Sequence, residues 1–255
     1  MLNSYKPKKS LGQNFLTDRN ILQSIVEAGE ISAGDTVIEI GPGTGSLTDE
    51  LVATGARIIA VEKDDALVLE LREKYKNTKN VEIIHDDILQ FNVTGYMSNV
   101  TCYKLIGNIP YYLTSHLFRI ILTTWPAPQN IVFTVQKEVA QRIVAKPPNM
   151  SMISLLVQCY GTPSIIKIIK RGSFNPAPKV DSAILKIIMP SENRTPSANL
   201  LDIASRGFAH PRKMLRASLP EEKLLEAQID PKRRPGTLTI EEWERLAKLF
   251  TNDLV

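Results

Sequence analysis

One stretch decides the fold of this chain, Val37-Ile38-Glu39-Ile40-Gly41-Pro42-Gly43-Thr44-Gly45. A short apolar run, typical of a buried β-strand, leads directly into three alternately spaced glycines. Glycines there let the backbone approach a ligand closely at the carboxyl end of a parallel strand. The dinucleotide fingerprint requires glycine where Ser46 stands, and no lysine follows as in an ATP-binding phosphate loop. The stretch therefore predicts a ligand site in an α/β fold, but neither a dinucleotide nor an ATP site.

Further apolar, β-branched runs follow with helical patterns between them, which predicts βαβ units and a mostly parallel sheet. These runs are residues 57–62, 81–84, 103–106 and 131–135. Two alternating runs, 164–170 and 183–189, predict an antiparallel pair that closes one edge of the sheet. A polar segment flanked by prolines, 190–196, resembles a linker, and the residues after it are helical in pattern. We therefore predict an α/β domain over 1–190 and a small helical domain over 191–255.

Acidic residues end the next two predicted strands. Glu62 closes the run 57–62, where its carboxylate can accept hydrogen bonds from both ribose hydroxyls. Asp87 follows the run 81–84, where its carboxylate could accept from an adenine amine. Taken singly, such an acid could equally be a helix cap or a turn former. Three consecutive strand ends that bear glycine, Glu62 and Asp87 together predict a nucleoside pocket.

The run 103–106 leads into the tetrapeptide Asn108-Ile109-Pro110-Tyr111. The Asn108 side-chain oxygen and the Ile109 carbonyl can accept hydrogen bonds from an exocyclic amine. The lone pair of such an amine is delocalised into the ring, so the nitrogen must become pyramidal before it can attack. Pro110 fixes the backbone without a competing donor, and Tyr111 can stack on a base, worth about 1–3 kcal/mol. In-line displacement depends mainly on positioning. Beside the nucleoside pocket, the tetrapeptide predicts methyl transfer from a sulfonium donor to a base. In isolation it could be a turn with a buried tyrosine.

A second unusual loop spans 174–182 and contains two prolines and Lys179. The prolines stiffen it, so that Phe174 could form the opposite wall of the base pocket, while a core phenylalanine is the competing interpretation. Lys179 would then lie near the phosphates. A base held between Tyr111 and Phe174 must be flipped out of its stack, which costs a few kcal/mol in a duplex and less in a loop.

Charge is unevenly distributed along this chain of 255 residues, whose net charge is only +4. The interval 88–180 contains one acid, Glu138, against nine basic residues, which gives it a net charge of about +8. The basic residues are Lys104, Arg119, Lys137, Arg142, Lys146, Lys167, Lys170, Arg171 and Lys179. Such asymmetry favours a polyanion partner through counterion release, although ordinary solvated lysines would look the same.

Other classes of protein are disfavoured by composition. No apolar run approaches the roughly 20 residues that span a bilayer, and 1–10 has no apolar signal-peptide core. Cys102 and Cys159 lie far apart without paired histidines, so we expect neither a disulfide framework nor a metal site. We expect a cytoplasmic monomer without a membrane partner.

The chain resembles the ribosomal RNA adenine dimethyltransferases of the KsgA type over nearly its whole length. The matching segments are 12–16, 39–45 with Leu47 and Thr48, Glu62, Asp87, 108–111 with Thr114, 136–139, 174–182, and Arg212 and Lys213 with Leu215 and Arg216. One departure is His210-Pro211, where relatives usually continue a basic helical run.

The resemblance implies a class I methyltransferase fold and dimethylation, with S-adenosyl-L-methionine, of two adjacent adenosines in a hairpin near the 3′ end of 16S ribosomal RNA. The partner it implies is the immature 30S particle, so that the enzyme has a role in small-subunit biogenesis. It also implies that the cofactor site is lined by Asn14, Leu16, Gly41, Glu62, Asp87 and Asn108. Without the resemblance, residues 6–16 would be predicted as a basic flexible arm. RNA backbone contacts are expected from 88–180 and from Arg206, Arg212, Lys213 and Arg216.

Two alternatives remain at this stage. One is the related large-subunit (23S) ribosomal RNA adenine methyltransferase that confers macrolide resistance; the segments 12–16 and 179–183 favour the small-subunit enzyme. The other is a non-catalytic ribosome assembly factor on the same fold. The intact Glu62, Asp87 and 108–111 speak against it, because a protein that only binds RNA need not keep them.

Overall fold

Residues 5, 7–8, 11–96, 102–190 and 196–250 are described by the structure, a computed structural model. Most of the predicted linker, 191–195, lies outside these ranges. The strands are β1 (Phe15–Leu16), β2 (Thr36–Ile40), β3 (Arg57–Glu62), β4 (Val81–His85), β5 (Lys104–Asn108), β6 (Asn130–Gln136), β7 (Thr162–Ile169), β8 (Phe174–Asn175) and β9 (Ser182–Ile188).

The helices follow the strands in the alternation that the sequence predicts. They are α1 (Arg19–Gly29), α2 (Ser46–Val52), α3 (Asp65–Tyr75), α4 (Val93–Tyr96), α5 (Thr114–Thr124), α6 (Lys137–Val144), α7 (Met152–Tyr160), α8 (Leu200–Phe208), α9 (Glu221–Glu226) and α10 (Ile240–Lys248). Among the described helices, none has the length and apolar character needed to cross a membrane.

Seven strands form the main sheet in the order β4-β3-β2-β5-β6-β9-β7. The first five are parallel, and β9 runs antiparallel to β6 with Ser182 opposite Gln136. The order in which strands are added reverses between β2 and β5, since β3 and β4 lie on one side of β2 and β5 and β6 on the other. In such folds ligands bind at the carboxyl ends of the strands beside that switch point. The predicted fold class, a mostly parallel sheet with two further strands at one edge, is confirmed.

A separate two-stranded sheet was not predicted. β1 pairs antiparallel with β8, so that Leu16 lies opposite Phe174 and Phe15 opposite Asn175. Both Leu16 and Phe174 are buried in the core under the main sheet. The interpretation of residues 6–16 as a flexible arm is therefore wrong for residues 11–16, because the apolar side chains of this segment have a partner strand that is remote in sequence.

The described residues divide into two compact units. The sheet unit comprises 1–140 and 164–189, and the helical unit comprises 141–163 and 190–255. The domain boundary predicted near 190 stays a prediction, and the segment 141–163 groups with the helical unit in this division. Trp243 is fully buried in the core of the helical unit, stacked on Phe208. Thr239 and Glu242 form a capping box at the start of α10.

Candidate active site

A cavity opens in the sheet unit where β2, β3, β4 and β5 end. Its empty volume, including the part open to solvent, is about 790 Å³. It is lined by residues from five chain segments: Leu11 to Phe15; Ile40, Gly41 and Gly43; Val61 to Lys63; Asp86 to Ile88; and Asn108 to Leu113. The parallel register brings the last four segments together, because each lies at the carboxyl end of a strand at the same edge of one sheet, and the segment 11–15 adds a wall from outside that sheet.

The glycine turn takes the backbone conformation that its composition predicts. Gly41, Gly43 and Gly45 have φ angles of 65°, 59° and 78°, in the left-handed region that favours glycine. A Cβ atom on Gly43 would lie 2.8 Å from the Phe15 ring. The turn therefore needs glycine both for its conformation and for the close approach of the N-terminal segment.

Glu62 lies at the end of β3 and is only 6% exposed. Its Oε1 accepts hydrogen bonds from the backbone N–H groups of Lys63 and Asp64, both at 2.8 Å, and its Oε2 accepts from Gly43 at 3.1 Å. Burial raises the pKa of the carboxyl, and these three donors oppose that shift. Three backbone bonds hold the carboxylate in one orientation beside the cavity and leave one lone pair, on Oε2, that can accept from a hydroxyl group.

Asp87 lies across the cavity edge, after β4. Its Oδ2 accepts a hydrogen bond from Lys63 Nζ at 2.7 Å, and its Oδ1 accepts from the Leu89 backbone at 3.1 Å. Burial opposes ionisation, but these two donors outweigh it and lower the pKa of the carboxyl. Asp87 is therefore an ionised acceptor at neutral pH, as an amine-binding group requires.

The Asn108 amide has its orientation fixed by a partner far away in sequence. Its Nδ2 donates to the backbone carbonyl of Asn14 at 2.8 Å. A carbonyl can only accept, so the amino side of the amide must face Asn14 and the oxygen remains the acceptor for an incoming amine. The backbone N–H of Ile109 donates to the Thr134 carbonyl at 3.2 Å, which ties the tetrapeptide to β6.

Not all predicted site residues line the cavity. Asn14, Gly41, Glu62, Asp87, Asn108, Ile109, Pro110 and Tyr111 do so. Leu16 lines a smaller adjoining pocket with Gly41 and Asn108. Phe174 is 4% exposed and packs in the core, so its place as a wall of the base pocket stays a prediction.

Sequence reasoning missed Asp64, which anchors the wall formed by the N-terminal segment. Its side chain accepts hydrogen bonds from Tyr5 (2.8 Å) and Gln13 (3.3 Å) and forms an ion pair with Lys8 (2.8 Å). Burial opposes ionisation of Asp64, but Lys8, Tyr5 and the backbone N–H of Ala66 outweigh it and lower the pKa of the carboxyl. One signal was present in the sequence: an acid two residues after Glu62, just before a helical pattern.

Replacing Asp64 by asparagine should weaken binding of the cofactor about tenfold, the size expected when charge-assisted bonds to a buried group are lost. Asparagine still caps α3, so the change acts mainly on Tyr5, Lys8 and Gln13. Titration calorimetry gives the affinity, and amide hydrogen exchange over residues 11–16 should accelerate. Asp65→Asn is the matched control, because Asp65 is exposed. Unchanged exchange in Asp64→Asn would contradict the anchoring role.

Glu39 is a buried acid on β2, and its Oε2 accepts a hydrogen bond from Thr48 at 2.7 Å. Burial raises the pKa of the Glu39 carboxyl to about 8, with the Thr48 bond opposing. The unfolded carboxyl ionises near its ordinary value. The protonated Glu39 carboxyl is therefore favoured in the folded protein, and its contribution to the free energy of unfolding is lost as the pH rises towards 8.

We expect this group to lower the free energy of unfolding by up to about 1.4 kcal/mol per pH unit between the two pKa values. Glutamine at position 39 keeps the acceptor for Thr48 but cannot ionise. Glu39→Gln should therefore gain stability relative to the wild-type protein as the pH rises from about 5 to 8. Urea unfolding followed by circular dichroism measures the free energy of unfolding of both proteins at each pH. A difference between them that does not change with pH would contradict the prediction.

One of the basic residues in the interval 88–180, Lys104, is not available to a partner. Lys104 is buried at the opposite end of β5 from the cavity, where its Nζ bonds the Glu30 carbonyl (2.6 Å) and Asp35 (2.9 Å). It therefore cannot contact RNA as predicted. The exposed basic residues of the interval are Arg119, Arg142, Lys146, Lys167, Lys170, Arg171 and Lys179. In the helical unit Arg206, Arg212, Lys213 and Arg216 are exposed, and Arg206 pairs with Asp202.

The fold is that of the class I methyltransferases that depend on S-adenosylmethionine. Solved structures share the fold: a dimethyladenosine transferase from Plasmodium falciparum has a TM-score of 0.78 at 24% identity, covering 92% of this chain and 97% of that one. The 23S rRNA methyltransferase ErmE has a TM-score of 0.73 at 26% identity, covering 92% and 98%.

Sequence comparison identifies the family. The model of the family "Ribosomal RNA adenine dimethylase" matches residues 4–252. A protein from Dehalococcoides mccartyi (strain CBDB1), named ribosomal RNA small subunit methyltransferase A, is 41% identical over 254 residues, covering 94% of this chain and 87% of the relative. The chain belongs to the ribosomal RNA adenine dimethylase family.

Proposed function

We propose that this enzyme dimethylates the exocyclic amines of two adjacent adenosines in a hairpin near the 3′ end of 16S ribosomal RNA. The observation that carries the proposal is the Asn108 amide, held by the Asn14 carbonyl with its oxygen available at the end of β5. It lies in the same cavity as Gly41, Glu62 and Asp87.

The chemistry follows from what the cavity residues can accept and hold. Asn108 Oδ1 and the Ile109 carbonyl accept the two amine protons, which draws the nitrogen towards a pyramidal geometry and exposes its lone pair. Tyr111 stacks on the flipped base. Glu62 binds the cofactor ribose and Asp87 its adenine amine, while Leu16 contributes from the adjoining pocket.

The donor supplies an electrophilic methyl group on sulfonium sulfur. Bound in the cavity, the donor would pass this methyl group to the amine nitrogen and leave as a neutral thioether with the electron pair of the broken carbon–sulfur bond, and the nitrogen would release one proton to water. After the first transfer one amine hydrogen remains, and Asn108 can still accept it. Both transfers are therefore proposed to occur at one site, without a metal ion.

The choice of the small subunit is supported by the names of the relatives, including ribosomal RNA small subunit methyltransferase A from Dehalococcoides mccartyi. We further propose that the immature 30S particle is the substrate, that the enzyme acts as a cytoplasmic monomer, and that it serves small-subunit biogenesis.

The test is methylation of immature small-subunit and large-subunit particles side by side, followed by nuclease digestion and mass analysis. We expect dimethyladenosine from the small-subunit RNA alone. Product on large-subunit RNA would overturn the choice of target. RNA binding without methyl transfer to either particle would overturn the enzymatic role in favour of an assembly factor.

Salt should separate RNA binding from cofactor binding. The exposed basic residues around Arg171 and Lys179, and those around Arg212 in the helical unit, are proposed to contact phosphates. RNA affinity should then fall about 10³-fold between roughly 50 and 200 mM salt, while cofactor affinity stays nearly constant. Filter binding and calorimetry measure the two affinities, and equal salt sensitivity would contradict the placement.

A further inference from the structure

Tyr111 is held at its far end by a residue that the site has not so far included. Its hydroxyl lies 2.7 Å from the Ser182 hydroxyl, and Ser182 is fully buried. Ser182 is the first residue of β9 and pairs with Gln136 of β6. Burial raises the pKa of the Tyr111 hydroxyl, with the Ser182 bond opposing, so the phenol is neutral at physiological pH.

The backbone of Tyr111 is fixed separately from its ring. Tyr111 begins a short 3₁₀ turn, Tyr111–Leu113, that leads into α5. Its carbonyl accepts a hydrogen bond from the Thr114 hydroxyl at 3.1 Å, and the Pro110 carbonyl accepts from the Leu113 N–H at 2.9 Å. These bonds set the position of the Cα atom, but they leave the side-chain rotamer free.

A ring that stacks on a base needs no hydroxyl, since phenylalanine has the same π-face. The hydroxyl of Tyr111 instead gives the ring a second attachment point, on β9, which is separated from β5 by β6 alone. Two attachment points restrict the ring to one plane before a base arrives. Preorganisation of this kind reduces the ordering that must accompany binding.

We propose that Ser182 is a positioning residue for methyl transfer, which acts through Tyr111 by fixing the plane on which the target adenine stacks. This inference rests on the proposed function, because it requires a base at Tyr111. It also gives the 174–182 loop a role independent of Phe174: the loop leads into the strand residue that holds the ring.

Removal of the hydroxyl in Ser182→Ala should lower kcat about tenfold, the size expected for one buried hydrogen bond. Cofactor affinity should stay constant. Tyr111→Phe should lower kcat by a similar factor, and the double variant should be no slower than either single variant, because both changes break the same bond. Ser182→Thr, which keeps the hydroxyl, should recover most of the rate. Ser154→Ala is the matched control, since it removes a fully buried hydroxyl in the helical unit.

A readout of ring order separates positioning from general stability. With 3-fluorotyrosine incorporated, the ¹⁹F resonance of Tyr111 is assigned by its loss in Tyr111→Phe. It should shift or broaden in Ser182→Ala and stay unchanged in Ser154→Ala. Additive losses in the double variant, or wild-type kcat in Ser182→Ala, would overturn the inference while the wild-type protein still methylates. A wild-type protein without methyl transfer would overturn the proposed function and this inference with it.

Discussion

Replacing Asn108 by alanine is expected to lower kcat for methyl transfer by about 10³-fold, the effect typical of losing a preorganised polar group that acts on the reacting atom. Alanine removes the oxygen that accepts an amine proton, and it also leaves the Asn14 carbonyl without its donor. RNA affinity should change little, because phosphate contacts elsewhere supply most of it. Single-turnover assays with labelled cofactor measure the rate.

The variant Asn108→Asp tests whether the amino group of the Asn108 amide is needed as well as its oxygen. The carboxylate keeps an acceptor for the amine but cannot donate to Asn14, so like partial charges face each other across 2.8 Å. We expect Asn108→Asp to be nearly as slow as Asn108→Ala. Asn77→Ala is the matched control, because Asn77 is exposed after α3. Substantial activity in Asn108→Ala would show that the amine is oriented by other groups.

Replacing Glu62 by glutamine should weaken cofactor affinity about 100-fold, since hydrogen bonds to a charged group contribute about 1.5–3 kcal/mol each. Glutamine has the same shape, but its amino group would face a backbone N–H of Gly43 or of Lys63 and Asp64. It would also lack the negative charge that strengthens a hydrogen bond from a ribose hydroxyl. Titration calorimetry measures the dissociation constant.

The control for that experiment is Glu82→Gln, on β4, where the side chain is about half exposed and pairs with Arg57. Its cofactor affinity should equal that of the wild-type protein. If Glu62→Gln bound the cofactor as tightly as wild type, the ribose would have to be held elsewhere. The pocket assignment for Asp87 would then also need revision, because both rest on the same strand-end argument.

The parts of the site that follow from local pattern were predictable from sequence. Gly41, Glu62, Asp87 and Asn108 each follow an apolar run, and parallel strands place such residues at one edge. The strand runs themselves were found to within a few residues, because buried parallel strands are continuously apolar.

What local pattern does not contain is the partner of each polar group. The Asn14 carbonyl carries no side-chain signal at all, yet it orients the Asn108 amide. The strand Phe15–Leu16 is too short to predict without its partner Phe174–Asn175. Lys104 counted as a free positive charge in the sequence, but the fold buries it against Asp35. Each of these depends on contacts between residues far apart in the chain.

The pairing of β1 with β8 has a consequence for synthesis on the ribosome. Residues 15 and 16 are made early and must wait for residues 174 and 175 before their strand can form. A nascent chain that stops short of β8 would contain every residue proposed to line the cofactor site and still lack the strand that pairs with β1. We therefore expect the active site to be complete only late in synthesis, and an incomplete translation product to be inactive.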